Sequence, residues 1–252
     1  MRFVALGVAL VSLGCVPAAH AATAITACNQ VVHGGAAYLT SDLDCAWADY
    51  GVRFEGAGVL DLGGFTLKKA GVGVSCELSC NVRNGVLEDT HTGIASNSRA
   101  KVTNVEIRPN ESGINIGVAG STGAVLKNVT LTAREGVVAD YGPVKLDHVT
   151  ITNCLGGVRT QKSITAIDST ITAPAHYGLQ GSGIRLIRSS ATGAGTDANC
   201  NMFTGEFSFL LCGDLMSWKR PTVRLSTCDT SLVLSSNINL GDPENWHVCS
   251  TD

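Results

Sequence analysis

The feature that most constrains this chain is an internal repeat of about 20 residues. Anchors at Leu67, Leu87, Ile107, Leu131, Ile151, Ile171 and Ala191 are separated by 20, 20, 24, 20, 20 and 20 residues. Five residues before each anchor stand Leu62, Val82, Val102, Leu126, Leu146, Ala166 and Leu186. Three before stand Gly64, Asn84, Asn104, Asn128, His148, Asp168 and Arg188. A third apolar column runs Phe54, Val74, Ile94, Ile114, Val137, Val158 and Leu179; Gly precedes six of these seven, while Phe54 follows Arg53.

A unit this short cannot bury its own apolar face, so neighbours must stack. Alternation in Lys101-Val102-Thr103 and Val149-Thr150-Ile151-Thr152 has the period of a strand. Each repeat reads as a rung of three short strands, the first carrying the Gly-Ile/Val column, as in Gly113-Ile114-Asn115-Ile116. The Asn/Asp column falls between the second and third strands, where a tight corner needs the left-handed conformation that those residues tolerate. Their stacked amides can also hydrogen-bond along the axis. Abundant Gly (29 residues) and few aromatics (5%) suit tightly turned strands. The expected fold is all-β, a single-stranded right-handed parallel β-helix of about seven rungs. At ~4.8 Å between strands, its core is a rod of about 30–35 Å. The long gap contains Gly117-Val118-Ala119-Gly120-Ser121-Thr122-Gly123 and reads as a four-residue loop extension between first and second strands. The short alternating runs exclude a helical solenoid, and Asp does not recur at the spacing of calcium-binding Gly-rich repeats.

The ends differ from the middle. Arg2, the apolar run Phe3 to Val16, and Ala19-His20-Ala21 read as a signal peptide over 1–21, cleaved before Ala22. A lipoprotein signal ending at Cys15 is the rival reading, disfavoured by Ser12. Residues 22–50 read as an N-terminal cap, 51–194 as the rungs, and 195–252 as an irregular last rung and disulfide-rich cap. Val223-Arg224-Leu225 and Leu232-Val233-Leu234 form that last rung, and Trp218 and Trp246 help to cover the open end. The mature chain has no apolar segment long enough to span a membrane. It is expected to be secreted or periplasmic.

Of ten cysteines, Cys15 lies in the leader, leaving nine. In an exported chain these favour disulfides, and clustering suggests Cys28 with Cys45, Cys76 with Cys80, Cys200 with Cys212, and Cys228 with Cys249. Cys154 is left over, as a small core residue or a reactive thiol. Zinc at Cys76 and Cys80 lacks a second pair of matching spacing.

Asp61-Leu62-Gly63-Gly64-Phe65-Thr66-Leu67, and Val149-Thr150-Ile151-Thr152-Asn153 followed by Gly157-Val158, resemble repeats of the pectin-lyase-like β-helix superfamily. The chain also looks like bacterial exported right-handed parallel β-helix repeat proteins of uncharacterised type. With those it shares Cys28-Asn29-Gln30 to Asp42-Leu43-Asp44-Cys45, Ser226-Thr227-Cys228-Asp229-Thr230-Ser231, and Trp246-His247-Val248-Cys249. The resemblance covers nearly all of the mature chain and implies the fold. The Asn-Thr-Asp, Asp-Asp, Gly-His-Gly and Arg-Ile-Lys motifs of polygalacturonases and the Asp-Pro-His motif of epimerases are missing, so no catalytic residue carries over.

The resemblance implies a sugar groove over the first strand. Outward positions there are Ala95, Asn115, Val138, Arg159 and Gln180, and nearby loops supply Glu135, Asp140, Tyr141, Lys162, His176 and Tyr177. Arg159 with Lys162 suits a uronate carboxylate, and His176 suits acid or base work. Asn115, Tyr141, Tyr177 and Gln180 complete a substrate-binding set. Glu135 and Asp140 suit a divalent cation such as calcium, if the chemistry is that of a lyase. Ordinary solvated loops carry the same residue types. Glu88-Asp89-Thr90-His91 is a polar loop, and Arg134-Glu135 an ordinary surface ion pair.

Two classes stay open. One is an exported protein engaging polysaccharide or a cell-surface glycan, acidic polysaccharide in particular, with lyase activity as an added expectation. The other is a non-catalytic structural or surface-adhesion protein. Its variant is ice binding through Thr130/Thr132, Thr150/Thr152, Thr170/Thr172 and Ser190/Thr192. A formal net charge of −3 and the lack of a basic tract point away from nucleic acid.

Overall fold

Parallel pairing in steps of 20 to 24 residues dominates the middle of the backbone. Leu126 aligns with Val102 on one side and Leu146 on the other, and Leu131 aligns with Ile107 and Ile151. The computed structural model describes residues 21–108, 116–152, 155–173, 178–181 and 183–193. Beyond these it describes strand backbones at 203–206, 209–211, 214–216, 222–224, 227–228 and 233–235. Those residues form an all-β parallel solenoid of about seven turns, with no helix among them.

The anchors form one continuous core. Leu67, Leu87, Ile107, Leu131, Ile151 and Ile171 are fully buried and Ala191 nearly so. Leu62, Val82, Val102, Leu126, Leu146 and Ala166 pack beside them. Each fully buried Leu or Ile contributes about 1.5–3 kcal/mol, and each depends on the rungs above and below.

The corner between second and third strands adopts the expected left-handed geometry. Asn84, Asn104 and Asn128 have φ of 58°, 54° and 52°, and His148, Asp168 and Arg188 continue at 54°, 48° and 47°. Asn128 Nδ2 donates to Asn104 Oδ1 at 2.9 Å, Asn104 Nδ2 to Asn84 Oδ1 at 3.2 Å, and Asn84 Nδ2 to Asp61 Oδ1 at 3.1 Å. Further along, ionic pairs replace the amides. His148 Nδ1 lies 2.6 Å from Asp147 Oδ1, and Arg188 grips Asp168 with two bonds of 2.6 Å. Beneath them Ser189 Oγ accepts from the Ser169 N–H, and Ser169 Oγ from the Val149 N–H, both at 3.1 Å. One buried hydroxyl among the described residues, Thr90 Oγ1, has no hydrogen-bond partner.

The corner from third to first strand depends on glycine. A Cβ on Gly93 would lie 2.5 Å from the Gly117 carbonyl oxygen and 2.7 Å from Ile107 Cγ2. One on Gly117 would meet Leu131 Cδ1 and the Gly136 carbonyl, and one on Gly51 would meet Leu67 and the Gly73 carbonyl. The anchor thus presses into space that any side chain would fill.

That packing corrects the sequence register twice. Val52, not Phe54, aligns with Val74, so Gly51 completes the glycine column; Phe54 aligns with Cys76. Val118, not Ile114, aligns with Ile94 and Val137. Both Gly113-Ile114 and Gly117-Val118 satisfy the Gly-apolar pattern, but Gly117 is the glycine against Leu131. The extra residues therefore fall within 109–115, ahead of the first strand, and not between the first and second strands. Gly123 pairs with Arg99 without any insertion there.

Pairing extends into both ends. Thr23–Ile25 pairs with Ala37–Leu39, and Gln30–Val32 with Val52–Phe54. Thr204–Glu206 pairs with Ile187 and its predecessors on one side and Thr222–Arg224 on the other, while Val233–Ser235 pairs with Asp214–Met216 in a separate sheet. The disulfides Cys28–Cys45 and Cys76–Cys80 are formed, with Cα–Cα distances of 5.4 and 5.5 Å. They fit an oxidising compartment. The other cysteines, Cys154, Cys200, Cys212, Cys249 and the Cys228 side chain, lie outside the described residues, as does the leader over 1–20. No helix among the described residues is long and apolar enough to cross a membrane.

Candidate functional site

Register builds the outward row of the first face from Val31, Arg53, Ser75, Ala95, Ala119, Val138, Arg159 and Gln180. Asn115, assigned to this row by the sequence, lies outside the described residues, and Ala119 holds the position. Ser75, Ala95 and Ala119 are small, so the middle of the face is a shallow floor.

The two ends of the floor differ in charge. Toward the N-terminus Arg53 pairs with Glu77 at 2.9 Å and lies 5.7 Å over the Tyr50 ring, and His33 pairs with Glu55 at 2.7 Å. The hydrogen bond to Glu77 holds the Arg53 guanidinium above its ordinary pKa. Toward the C-terminus the row carries Arg159, with Lys162 on the turn that follows. Arg159 and Lys162 are exposed, and neither meets a carboxylate among the described residues.

Tyr141, 67% exposed, sits on the rung below Lys162. The two turns are tied together: the Gln161 N–H donates to the Asp140 carbonyl at 3.3 Å, and Thr160 Oγ1 donates to the Gly142 carbonyl at 2.6 Å. Thr160 Oγ1 also accepts from the Lys162 N–H at 3.0 Å, which fixes the turn carrying Lys162. Gln180 follows Arg159 in register on the next rung. The structure therefore brings Arg159, Lys162, Asp140, Tyr141 and Gln180 to one edge of one face.

Glu135 does not join them. It opens the strand Glu135–Ala139 and Asp140 follows its end, so five residue steps, about 16 Å, separate the two backbones. These carboxylates are not in position to share one cation. Among the described residues no group of three or more His, Cys, Asp or Glu could hold a metal ion. His176 and Tyr177 lie outside the described residues.

Trp47 is the residue that sequence reasoning missed. An irregular register between Asp44 and Ala48, with φ of 48° at Ala46 and 67° at Trp47, turns the indole outward. It is 47% exposed and packs on His91 with ring centroids 5.5 Å apart. It stands on the entry edge of the first face, and an exposed ring of this kind offers an apolar surface to a pyranose. Its only signal was a lone aromatic beside Cys45, within a stretch that reads as a cap.

Other perturbed groups serve the stacking. A hydrogen bond from Arg188 holds Asp168 below the ordinary carboxylate range, one from His148 does so for Asp147, and one from Arg108 does so for Glu106. Each links rungs or neighbours on the outer surface, away from the first-face row. Comparison with models of protein families, with curated proteins and with solved structures finds no match.

Proposed function

We propose that the protein is an exported binder of acidic polysaccharide, holding the chain along its first face. The observation that supports this is the pair of cations, Arg159 and Lys162, that meet no carboxylate among the described residues, beside exposed Tyr141 at the end of a small-residue floor. A cation that gives up no internal ion pair has only its hydration and side-chain freedom to lose when it meets a ligand carboxylate. Tyr141 and Trp47 offer rings at opposite edges, Gln180 offers an amide, and the Ser75-Ala95-Ala119 floor lets a sugar chain approach the backbone. The resemblance to the pectin-lyase-like superfamily agrees with this placement.

The test is affinity electrophoresis of the full chain through gels containing polygalacturonate or neutral dextran. Polygalacturonate retards the wild type and dextran does not. Arg159→Ala with Lys162→Ala weakens retardation by about tenfold at low salt, a loss that added salt erases. Unchanged retardation of the double variant contradicts the assignment. An unsaturated product absorbing in the near-ultraviolet adds eliminative chemistry to the same face.

A second reading has its own observation. Thr130, Thr150, Thr170 and Ser190 align, and Thr132 aligns with Thr152, giving a four-rung row of hydroxyls on the third face. Thr132 Oγ1 and Thr152 Oγ1 are 3.5 Å apart. Such an array suits ordered water, and ice-recrystallisation inhibition by the purified protein tests it. Glu106 in register with Thr130, and Arg108 two residues on, bound the array on one side.

A further inference from the structure

The second face carries a row of cations in which no member is used internally among the described residues. Register aligns Val59, Asn81, Lys101, Val125, Lys145, Thr165 and Arg185 on the outward side. Lys101, Lys145 and Arg185 are exposed, and none meets a carboxylate among the described residues. The contrast with the adjacent outward row is sharp. There Arg83 pairs with Asp61 at 2.8 Å, and Lys127 with Asp147 at 3.4 Å. Asp147, the nearest carboxylate to Lys145 along its strand, is held by Lys127 and His148.

The three cations are two rungs apart, so their backbones repeat at about 9.6 Å along the axis. The row begins at a concavity of about 520 Å³, lined by Gly35, Gly58, Val59 and Asn81 and walled by Arg99 and Lys101. Arg99 is also exposed and meets no carboxylate among the described residues. That volume lies within the range of small-ligand sites, roughly 300–1,000 Å³. Its lining is mainly backbone and apolar atoms, with cations on one side only.

We propose that this second face is a separate binding surface for a linear acidic glycan running parallel to the rod, with one acidic sugar in the concavity between Arg99, Lys101 and Val59. An extended glycan advances per pyranose by nearly the spacing of the rungs, so acidic groups on alternate sugars meet alternate rungs. Duplex nucleic acid carries a charge about every 3.4 Å per strand and does not share this repeat. None of these residues belongs to the first-face site, so the two readings stand or fall separately.

The experiment uses the full chain carrying Arg159→Ala and Lys162→Ala, which removes the first-face cations. Affinity electrophoresis in polygalacturonate gels still retards this protein, with circular dichroism confirming the fold. Adding Lys101→Ala, Lys145→Ala and Arg185→Ala weakens retardation by about tenfold or more at low salt and flattens its salt dependence. Arg99→Ala alone weakens binding of short oligogalacturonates. In gels of hyaluronan, whose carboxylates fall on alternate sugars, Lys145→Ala with Val125→Lys keeps the charge but breaks the two-rung spacing, and it does not restore binding. The proposal is overturned if the first-face variant shows no retention, if the triple substitution changes nothing, or if the shifted lysine restores affinity fully. It is equally overturned if duplex DNA displaces the polysaccharide at equal charge concentration.

Discussion

Gly93→Ala isolates the packing requirement that sets the rung register. In an unconstrained strand the change would stabilise by about 0.4–1 kcal/mol, because alanine narrows the unfolded ensemble. Gly93 lacks a positive φ, so backbone conformation does not oppose it. Sterics do. The new methyl would stand 2.5 Å from the Gly117 carbonyl oxygen and 2.7 Å from Ile107 Cγ2, both well inside contact distance. One obstacle is backbone of the next rung and the other is a fully buried anchor, so neither can swing aside. Overpacking of this kind costs about 1–3 kcal/mol, and after the entropic gain the balance is a loss of about 1 kcal/mol. Urea unfolding followed by circular dichroism measures it as a lower midpoint at unchanged slope. The overlap also predicts coupling. Ile107→Ala alone costs about 2–5 kcal/mol, and the double variant loses less than the sum by more than about 0.5 kcal/mol. Wild-type stability in Gly93→Ala, or strict additivity, refutes the steric account of the glycine column.

Further consequences are open to the same assay. Asn104→Ala loses two ladder bonds and forces alanine to φ near 54°, costing about 2 kcal/mol, of which Asn104→Gly recovers the conformational part. Thr90→Val removes a buried hydroxyl without a partner and stabilises by about 1–2 kcal/mol, whereas a loss reveals a hydrogen bond. Replacing Cys28 and Cys45 by serine removes a 17-residue closure and costs about 3 kcal/mol, against about 2 kcal/mol for the four-residue closure of Cys76 and Cys80. The depressed carboxyls of Asp44, Glu106, Asp147 and Asp168 bind protons less readily folded than unfolded. The stability they lend is therefore present above the ordinary carboxylate range and is lost as pH falls through their lowered values. The urea midpoint should drop below about pH 4, and Arg108→Ala should shrink the drop; a midpoint that rises on acidification contradicts the pairing.

The columns show why so much of the fold was legible. Leu67 to Ala191 recur because each rung needs an inward residue at the same place, and Asn84, Asn104 and Asn128 recur because the corner needs the left-handed region. Periodicity reports such needs directly. It could not choose between Gly113-Ile114 and Gly117-Val118, since both satisfy the local pattern. Contact with Leu131, far along the chain, decides the matter. The same limit affected the site. Arg159, Lys162 and Tyr141 converge because turns on adjacent rungs share a position, which the repeat reveals. Glu135 and Asp140 looked close in sequence, but an extended strand holds them apart. Trp47 escaped notice because a local irregularity in pairing, not a recurrent position, turns it outward. The row of cations on the second face was invisible for another reason. Lys101, Lys145 and Arg185 are ordinary surface residues until the neighbouring lysines and arginines are seen to be paired.

Every functional statement depends on which residues share a row, so the register is the claim to test most directly. Thr150 and Thr170 are partners on adjacent rungs. Cysteines there would have Cα atoms about 4.8 Å apart, inside the range a disulfide accepts, whereas Thr150 and Thr172 would be about 8 Å apart and outside it. The measurement is the rate of oxidative cross-linking in the two double-cysteine variants, mapped by mass spectrometry of the digested chain. The solenoid predicts rapid bonding between positions 150 and 170 and almost none between 150 and 172. Equal rates, or preference for the second pair, would contradict the register and the rows of side chains built on it.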